Sequence, residues 1–107
     1  MINRELKKGV VDYLILALVA RGAMSGVDLV AELDELFPTG TIYPALGRLE
    51  RAELIAATSR QGPTGRPRKE YDLSALGVAQ LAELDTEWSA MTGIVDRIRK
   101  GSACYVR

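Results

Sequence analysis

A chain of 107 residues, 48% apolar and 26% charged, has room for one packed domain and none for a catalytic domain joined to a regulator. Histidine is absent, which removes the commonest general base and metal ligand, and the single cysteine, Cys104, can form neither an internal disulfide nor a cysteine–histidine zinc site. The 14 basic and 14 acidic side chains cancel, but between Arg48 and Lys69 six bases (Arg48, Arg51, Arg60, Arg66, Arg68, Lys69) face only two acids (Glu50, Glu53), a local surplus of four.

The acids concentrate elsewhere: four without a base from Asp28 to Glu35, and six without a base from Glu70 to Asp96. Such segregation gives a neutral protein one surface suited to a polyanion. No charged-then-apolar leader with a small-residue cleavage site opens the chain, and the apolar run Tyr13 to Ala20 is too short to cross a bilayer. The expectation is a cytoplasmic protein with no membrane partner.

From Arg4 to Ala20 the residues Leu6, Val10, Leu14, Ala17 and Leu18 recur at helical spacing, with Tyr13 beside the stripe and Lys7, Lys8 and Asp12 outside it. Arg21 to Met24 breaks the pattern. A second helix then starts on Ser25, with Asp28 three residues on in a capping-box arrangement, and runs through Leu29, Val30, Leu33 and Leu36 to Phe37, where Pro38 disfavours its continuation. Thr41 is the expected N-cap of a third helix, chosen over Thr39 because it puts Pro44 in the first turn. On this helix Ile42, Ala45, Leu46 and Leu49 share one face, and Pro44, Gly47, Arg48 and Arg51 the opposite one.

After Leu54 the stretch Ile55 to Ser59 and the alternating run Glu70 to Leu73 read as two strands of a hairpin, joined by the polar, turn-rich Arg60-Gln61-Gly62-Pro63-Thr64-Gly65-Arg66-Pro67. The last helix opens on Ser74 as N-cap and carries Leu81, Leu84, Trp88, Met91, Val95 and Ile98 at alternating steps of 3 and 4. This seam covers fewer than three heptads, and Gly93 weakens the helix by about 1 kcal/mol relative to alanine. The fold class is therefore mainly α with a small β-hairpin (α+β): a winged helix-turn-helix unit over residues 1–73, a C-terminal helix over 74–100 and a frayed tail over 101–107.

The residues themselves resemble the PadR family of transcriptional regulators, in the shorter branch with a single helix after the wing. The resemblance spans Leu14 to Gly77 and rests on Gly40-Thr41-Ile42-Tyr43-Pro44, Leu46, Leu49-Glu50, Gly65-Arg66-Pro67-Arg68-Lys69, Tyr71, Leu73, Ser74 and Gly77. Val27 replaces a usual aromatic, and Glu53 a common glycine before the first strand. The resemblance implies helix three in the major groove of duplex DNA and dimers that grip through the last helix. The expected function is that of a sequence-specific transcriptional regulator, a homodimeric repressor released by a small-molecule effector; with no nucleophile–base pair, phosphate loop or metal motif in the sequence, an enzyme is not expected.

Residue chemistry adds its own reasons. Thr41 and Tyr43 put hydroxyls at a helix end whose free N–H groups suit phosphate, Gly47 thins the outward face, and Arg48 and Arg51 have the reach for phosphates or guanine edges. Arg60, Arg66, Arg68 and Lys69 on the wing would follow the adjacent backbone or minor groove. Each has a blander reading as a solvated surface cation. Leu81, Leu84, Trp88, Met91, Val95 and Ile98 would leave a large apolar patch unless a second copy covers them, although packing back on helix one would also hide them. A symmetric pair predicts a palindromic operator with half-sites about 34 Å apart.

Trp88 and Met91 have a second reading as walls of a pocket for a flat aromatic effector, similar to what drug-sensing relatives use, beside the simpler one of interface core. No cofactor is required, and no ligand spacing around Cys104 or the carboxylates supports a metal effector. A winged-helix protein interaction module that does not bind DNA is the alternative function.

Overall fold

A computed structural model describes residues 9–101. The expected start of the first helix at Arg4, with Leu6, and the tail after Gly101, with Cys104, lie outside the described residues. The elements are α1 (Val10–Ala20), β1 (Met24–Ser25), α2 (Gly26–Leu33), α3 (Thr39–Arg51), β2 (Ile55–Gln61), β3 (Pro67–Leu73) and α4 (Ala75–Gly101).

α1 is apolar on most of its circumference because it is the central strut, packed against α3, α4 and β3. Its core face is Val11, Ile15, Leu16 and Val19, with Val10 at one margin. The stripe expected to face inward is turned aside: Leu14, Ala17 and Leu18 are only half-buried, and Tyr13, next to them, faces α4. A helix apolar on two sides has no unique inward face in its own sequence; the second layer decides which is deeper.

α2 opens as expected. Ser25 Oγ accepts the Asp28 N–H at 3.1 Å and is itself buried, but the Asp28 carboxylate reaches across to Arg68 instead of back to Ser25. The helix ends at Leu33, short of the expected Phe37, in a turn where the N–H groups of Leu36 and Phe37 both donate to the Leu33 carbonyl, at 3.0 and 2.9 Å. That turn tucks Phe37 fully into the core and leaves Leu36 exposed.

α3 begins two residues before the expected cap. Pro38 is the N-cap and offers no side-chain acceptor, so Thr41 lies within the first turn, its N–H donating to the Pro38 carbonyl at 2.9 Å. Pro44 thus falls beyond the first turn, where it removes a ladder donor. The inward face is as read: Ile42, Ala45, Leu46 and Leu49 are all buried.

The hairpin strands are longer than expected, pairing from Ile55↔Leu73 to Gln61↔Pro67, and the sheet gains a third strand in the order β1-β3-β2 through Met24↔Tyr71 and Ser25↔Glu70. Two residues in a glycine-broken connection carry no periodic signal. Only pairing with β3 makes them a strand.

At the end of α3 the chain reverses on Glu53, which adopts φ 63°. The Glu53 N–H donates to the Glu50 carbonyl and the Leu54 N–H to the Leu49 carbonyl, both at 3.0 Å, a Schellman turn with glutamate in the position that favours glycine. The next element is bolted to this turn. The Ser74 N–H donates to the Leu54 carbonyl at 3.1 Å, Ser74 Oγ donates to the Glu53 carbonyl, and the same Oγ accepts the Gly77 N–H at 3.0 Å as the N-cap of α4. Gly77 is buried against the Leu54 carbonyl so closely that a β-carbon there would run into that oxygen and come within 3.0 Å of Leu73 Cδ2.

From this junction α4 runs for 27 residues and projects, giving extents of 65 × 29 × 22 Å and a radius of gyration of 16.9 Å where a compact chain of this length has about 13 Å. Two substitutions at the junction have opposite signs. Gly77→Ala should lower stability by about 1–3 kcal/mol through overpacking, whereas Glu53→Gly should raise it by about 1 kcal/mol by relieving the left-handed residue, about 4–8 °C in the melting temperature. Thermal melts followed by circular dichroism check both.

Candidate nucleic-acid interface

α3 presents its outward face beside the wing. The Lys69 ammonium on β3 lies 3.7 Å from the Glu50 carboxylate on α3, and Tyr43 of α3 lines a shallow groove of about 470 Å³ with Ser25, Gly26, Val27 and Asp28 at the start of α2 and with Pro67, Arg68, Lys69 and Tyr71 of β3. Gly26 lets the Tyr43 ring lie close to the start of α2: a β-carbon there would sit 2.7 Å from Tyr43 Cε1 and push the ring aside. Thr41, Tyr43, Gly47, Arg48 and Arg51 on the helix, and Arg60, Arg66, Arg68 and Lys69 on the wing, are thus carried by two adjoining elements.

The N-terminus of α3 has no side-chain cap, and Thr39 and Gly40 are exposed in its first turn with space around Gly40. Their backbone N–H groups, at the positive end of the helix dipole, suit an anion. With Thr41 as the expected cap, both residues fall outside the expected helix. Arg48 and Arg51 lie at the other end, in the last turn, where they also offset the negative end of the dipole. The Arg51 guanidinium folds over Gly47, whose β-carbon would lie 3.4 Å from Arg51 Nη1, so the thin patch expected at Gly47 is covered by an arginine.

The cations divide by partner. Arg48 donates to Asp12 of α1 in an ion pair; Arg68 donates to Asp28, and at 3.0 Å to Ser25 Oγ. Arg60 and Arg68 are direct cross-strand neighbours, a like-charge pairing that Glu70 relieves by holding Arg60 at 3.1 Å and Arg68 at 3.7 Å. Arg51 and Arg66 form no ion pair among the described residues. The Lys69 ammonium stands 5.4 Å from the centroid of the Tyr71 ring; the Tyr71 hydroxyl, and after it Glu50, raise its pKa above the ordinary 10.5, so it is cationic throughout the physiological range. Asp12, Asp28 and Glu70 fall outside the Arg48–Lys69 stretch in sequence, so the local surplus of four is partly compensated in space.

The model of the Transcriptional regulator PadR-like family matches residues 15–83. This chain belongs to that family. A PadR-like transcriptional regulator of Bacillus cereus is 28% identical, with 88% of this chain and 95% of that one covered at a TM-score of 0.81. A Streptococcus transcriptional regulator is 29% identical, with 91% and 99% covered at 0.82. Bacillus subtilis PadR, solved in complex with operator DNA, is 26% identical, with 70% of this chain and 46% of that one covered at 0.63. The family is one of transcriptional regulators, and the winged-helix fold with a long C-terminal helix is shared.

In this PadR-like chain the C-terminal seam divides in two. Leu81, Leu84 and Trp88 are half-buried against the chain's own core, and Trp88 stacks on Tyr13 of α1 with ring centroids 5.4 Å apart and planes 13° from parallel. The Tyr13 hydroxyl donates to Asp85 at 2.6 Å, a bond that raises its pKa above 10.0, with burial and the Asp85 charge adding to the rise. Met91, Val95 and Ile98 are 44–55% exposed, and Ile94, outside the seam as read, joins them. Among the described residues no cluster of three or more His, Cys, Asp or Glu is placed to hold a metal ion, and no helix is long and apolar enough to cross a membrane.

Proposed function

We propose that this chain is a sequence-specific DNA-binding transcriptional regulator acting as a homodimeric repressor, with α3 in the major groove and the wing along the neighbouring backbone. The observation that carries the reading is that Arg48 and Arg51 in the last turn of α3 adjoin a wing that carries Arg66 and Lys69, with Arg51 and Arg66 free of carboxylates among the described residues and the start of the same helix left without a side-chain cap. The operator DNA held by the Bacillus subtilis relative supports it. Selection from a random duplex pool should return a palindrome with half-sites about 34 Å apart. Arg51→Ala and Arg66→Ala should each lower the slope of log affinity against log salt by about 0.9 for every phosphate contact removed. Unchanged slopes, or binding that salt barely alters, would favour a protein-interaction role for the wing.

The second copy docks on the projecting half of α4. Met91, Ile94, Val95 and Ile98 form an apolar strip that nothing in the described chain covers, and the 27-residue helix is long enough to cross a partner's. Because these side chains are not part of the chain's own core, Val95→Glu combined with Ile98→Glu should leave the winged domain's melting transition in place while sedimentation changes from dimer to monomer. A persisting dimer refutes the interface. Leu84 is unsuitable for such a test, since it also packs within its own chain.

A flat aromatic effector would enter between the copies, against the Trp88 surface left free by Tyr13 and beside the flexible Met91. Titration with planar cationic or phenolic dyes should quench Trp88 fluorescence and weaken operator binding together; a flat response across the panel leaves Trp88 a packing residue.

A further inference from the structure

The recognition helix has two arginines in its last turn, and they are in different states. Arg51 has no acidic partner among the described residues, whereas the Arg48 guanidinium is held by the Asp12 carboxylate, 36 residues earlier on α1. Both partners are accessible, at 53% for the Arg48 side chain and 29% for Asp12, so DNA can reach this pair. Asp12 lies in the first turn of α1, where the helix dipole favours a carboxylate, and α1 is fixed by its buried face, so the acceptor is held at a set position rather than on a loop. A carboxylate offers a guanidinium the same planar, anionic oxygen acceptors as a phosphate.

Resting on the DNA-binding reading above, we propose that Asp12 is a positioning residue that acts through Arg48: its carboxylate occupies the guanidinium as an internal stand-in for phosphate. On duplex of arbitrary sequence Arg48 stays with Asp12 and adds no contact. It transfers only where the DNA offers a better acceptor, such as the paired N7 and O6 of a guanine. Asp12 thereby lowers the hold of arbitrary DNA on the protein without touching DNA itself, which also accounts for an acid lying under the basic face of a chain with no net charge.

The test is a double-mutant cycle on the full chain, with a duplex of scrambled sequence as probe and fluorescence anisotropy as readout over a salt series. Asp12→Asn frees Arg48 for one more phosphate, so the log–log salt slope should steepen by about 0.9 per engaged recognition helix, and affinity near 0.1 M salt should rise by about fivefold to tenfold. In the Arg48→Ala background the same substitution should change neither. Glu35→Gln removes an equal charge from an exposed acid with no ion pair among the described residues, and should not reproduce the effect. Asp12→Ser serves as a second variant should the asparagine lower the melting temperature.

An unchanged slope in Asp12→Asn, an equal gain in the Arg48→Ala background, or the same gain from Glu35→Gln would each overturn the proposal while the DNA-binding reading stands. Failure of the unsubstituted protein to bind any duplex at low salt would remove the reading and the proposal together.

Discussion

The tightest constraint between the outward helix and the projecting one is a shared peptide carbonyl, that of Leu54. It accepts the Ser74 N–H at 3.1 Å and lies against Gly77 with no space for a β-carbon. The turn that ends α3 and the cap that starts α4 therefore share backbone groups, with Ser74 Oγ joining the Glu53 carbonyl to the Gly77 N–H. Backbone contacts of this kind leave few rotamers to relax, so a rotation of α4 must displace the end of α3 or break hydrogen bonds. In the proposed dimer this makes the docking of two α4 helices a determinant of where the two α3 helices stand.

α1 makes the second connection between the same elements. Its consecutive residues Asp12 and Tyr13 point to different neighbours: Asp12 to Arg48 on α3, Tyr13 to Trp88 and Asp85 on α4. A helix that must bury one face in the core and still serve two partners is apolar on more than one side, and that is the physical origin of its dense Val, Leu and Ile content. The charge distribution follows the same logic. Asp12, Asp28, Glu50 and Glu70 each sit beneath a cation of the basic face, so zero net charge coexists with a surface on which Arg51 and Arg66 remain unpaired among the described residues.

What was legible in the sequence was local. Ser25 and Ser74 were readable as caps because a hydroxyl at a helix start competes for nearby N–H groups whatever lies beyond, and both accept the N–H three residues on. The buried face of α3 was readable because Ile42, Ala45, Leu46 and Leu49 leave one choice of inward side. What the sequence does not show involves the rest of the molecule: β1 exists only against β3, the deeper face of α1 is set by its packing on α3, α4 and β3, and the Asp12–Arg48 pair spans 36 residues. The start of α3 differs from the expected one because Thr41 is a good cap by type, while the helix begins at Thr39 behind Pro38, an N-cap that offers no side-chain acceptor and so leaves no capping signal in the sequence. The cationic side chains were all visible in the sequence; their division into paired and unpaired required the fold.

The claim on which the account rests is that the outward face of α3 and the wing meet one DNA duplex. Backbone amide shifts recorded while the uniformly labelled protein is titrated with its selected duplex test this most directly. The account predicts the largest changes at Thr39, Gly40, Gly47 and Arg51 and along Gln61 to Lys69, with the exposed half of α4 unmoved by contact. Changes confined to α4, or none at all at low salt, would contradict it.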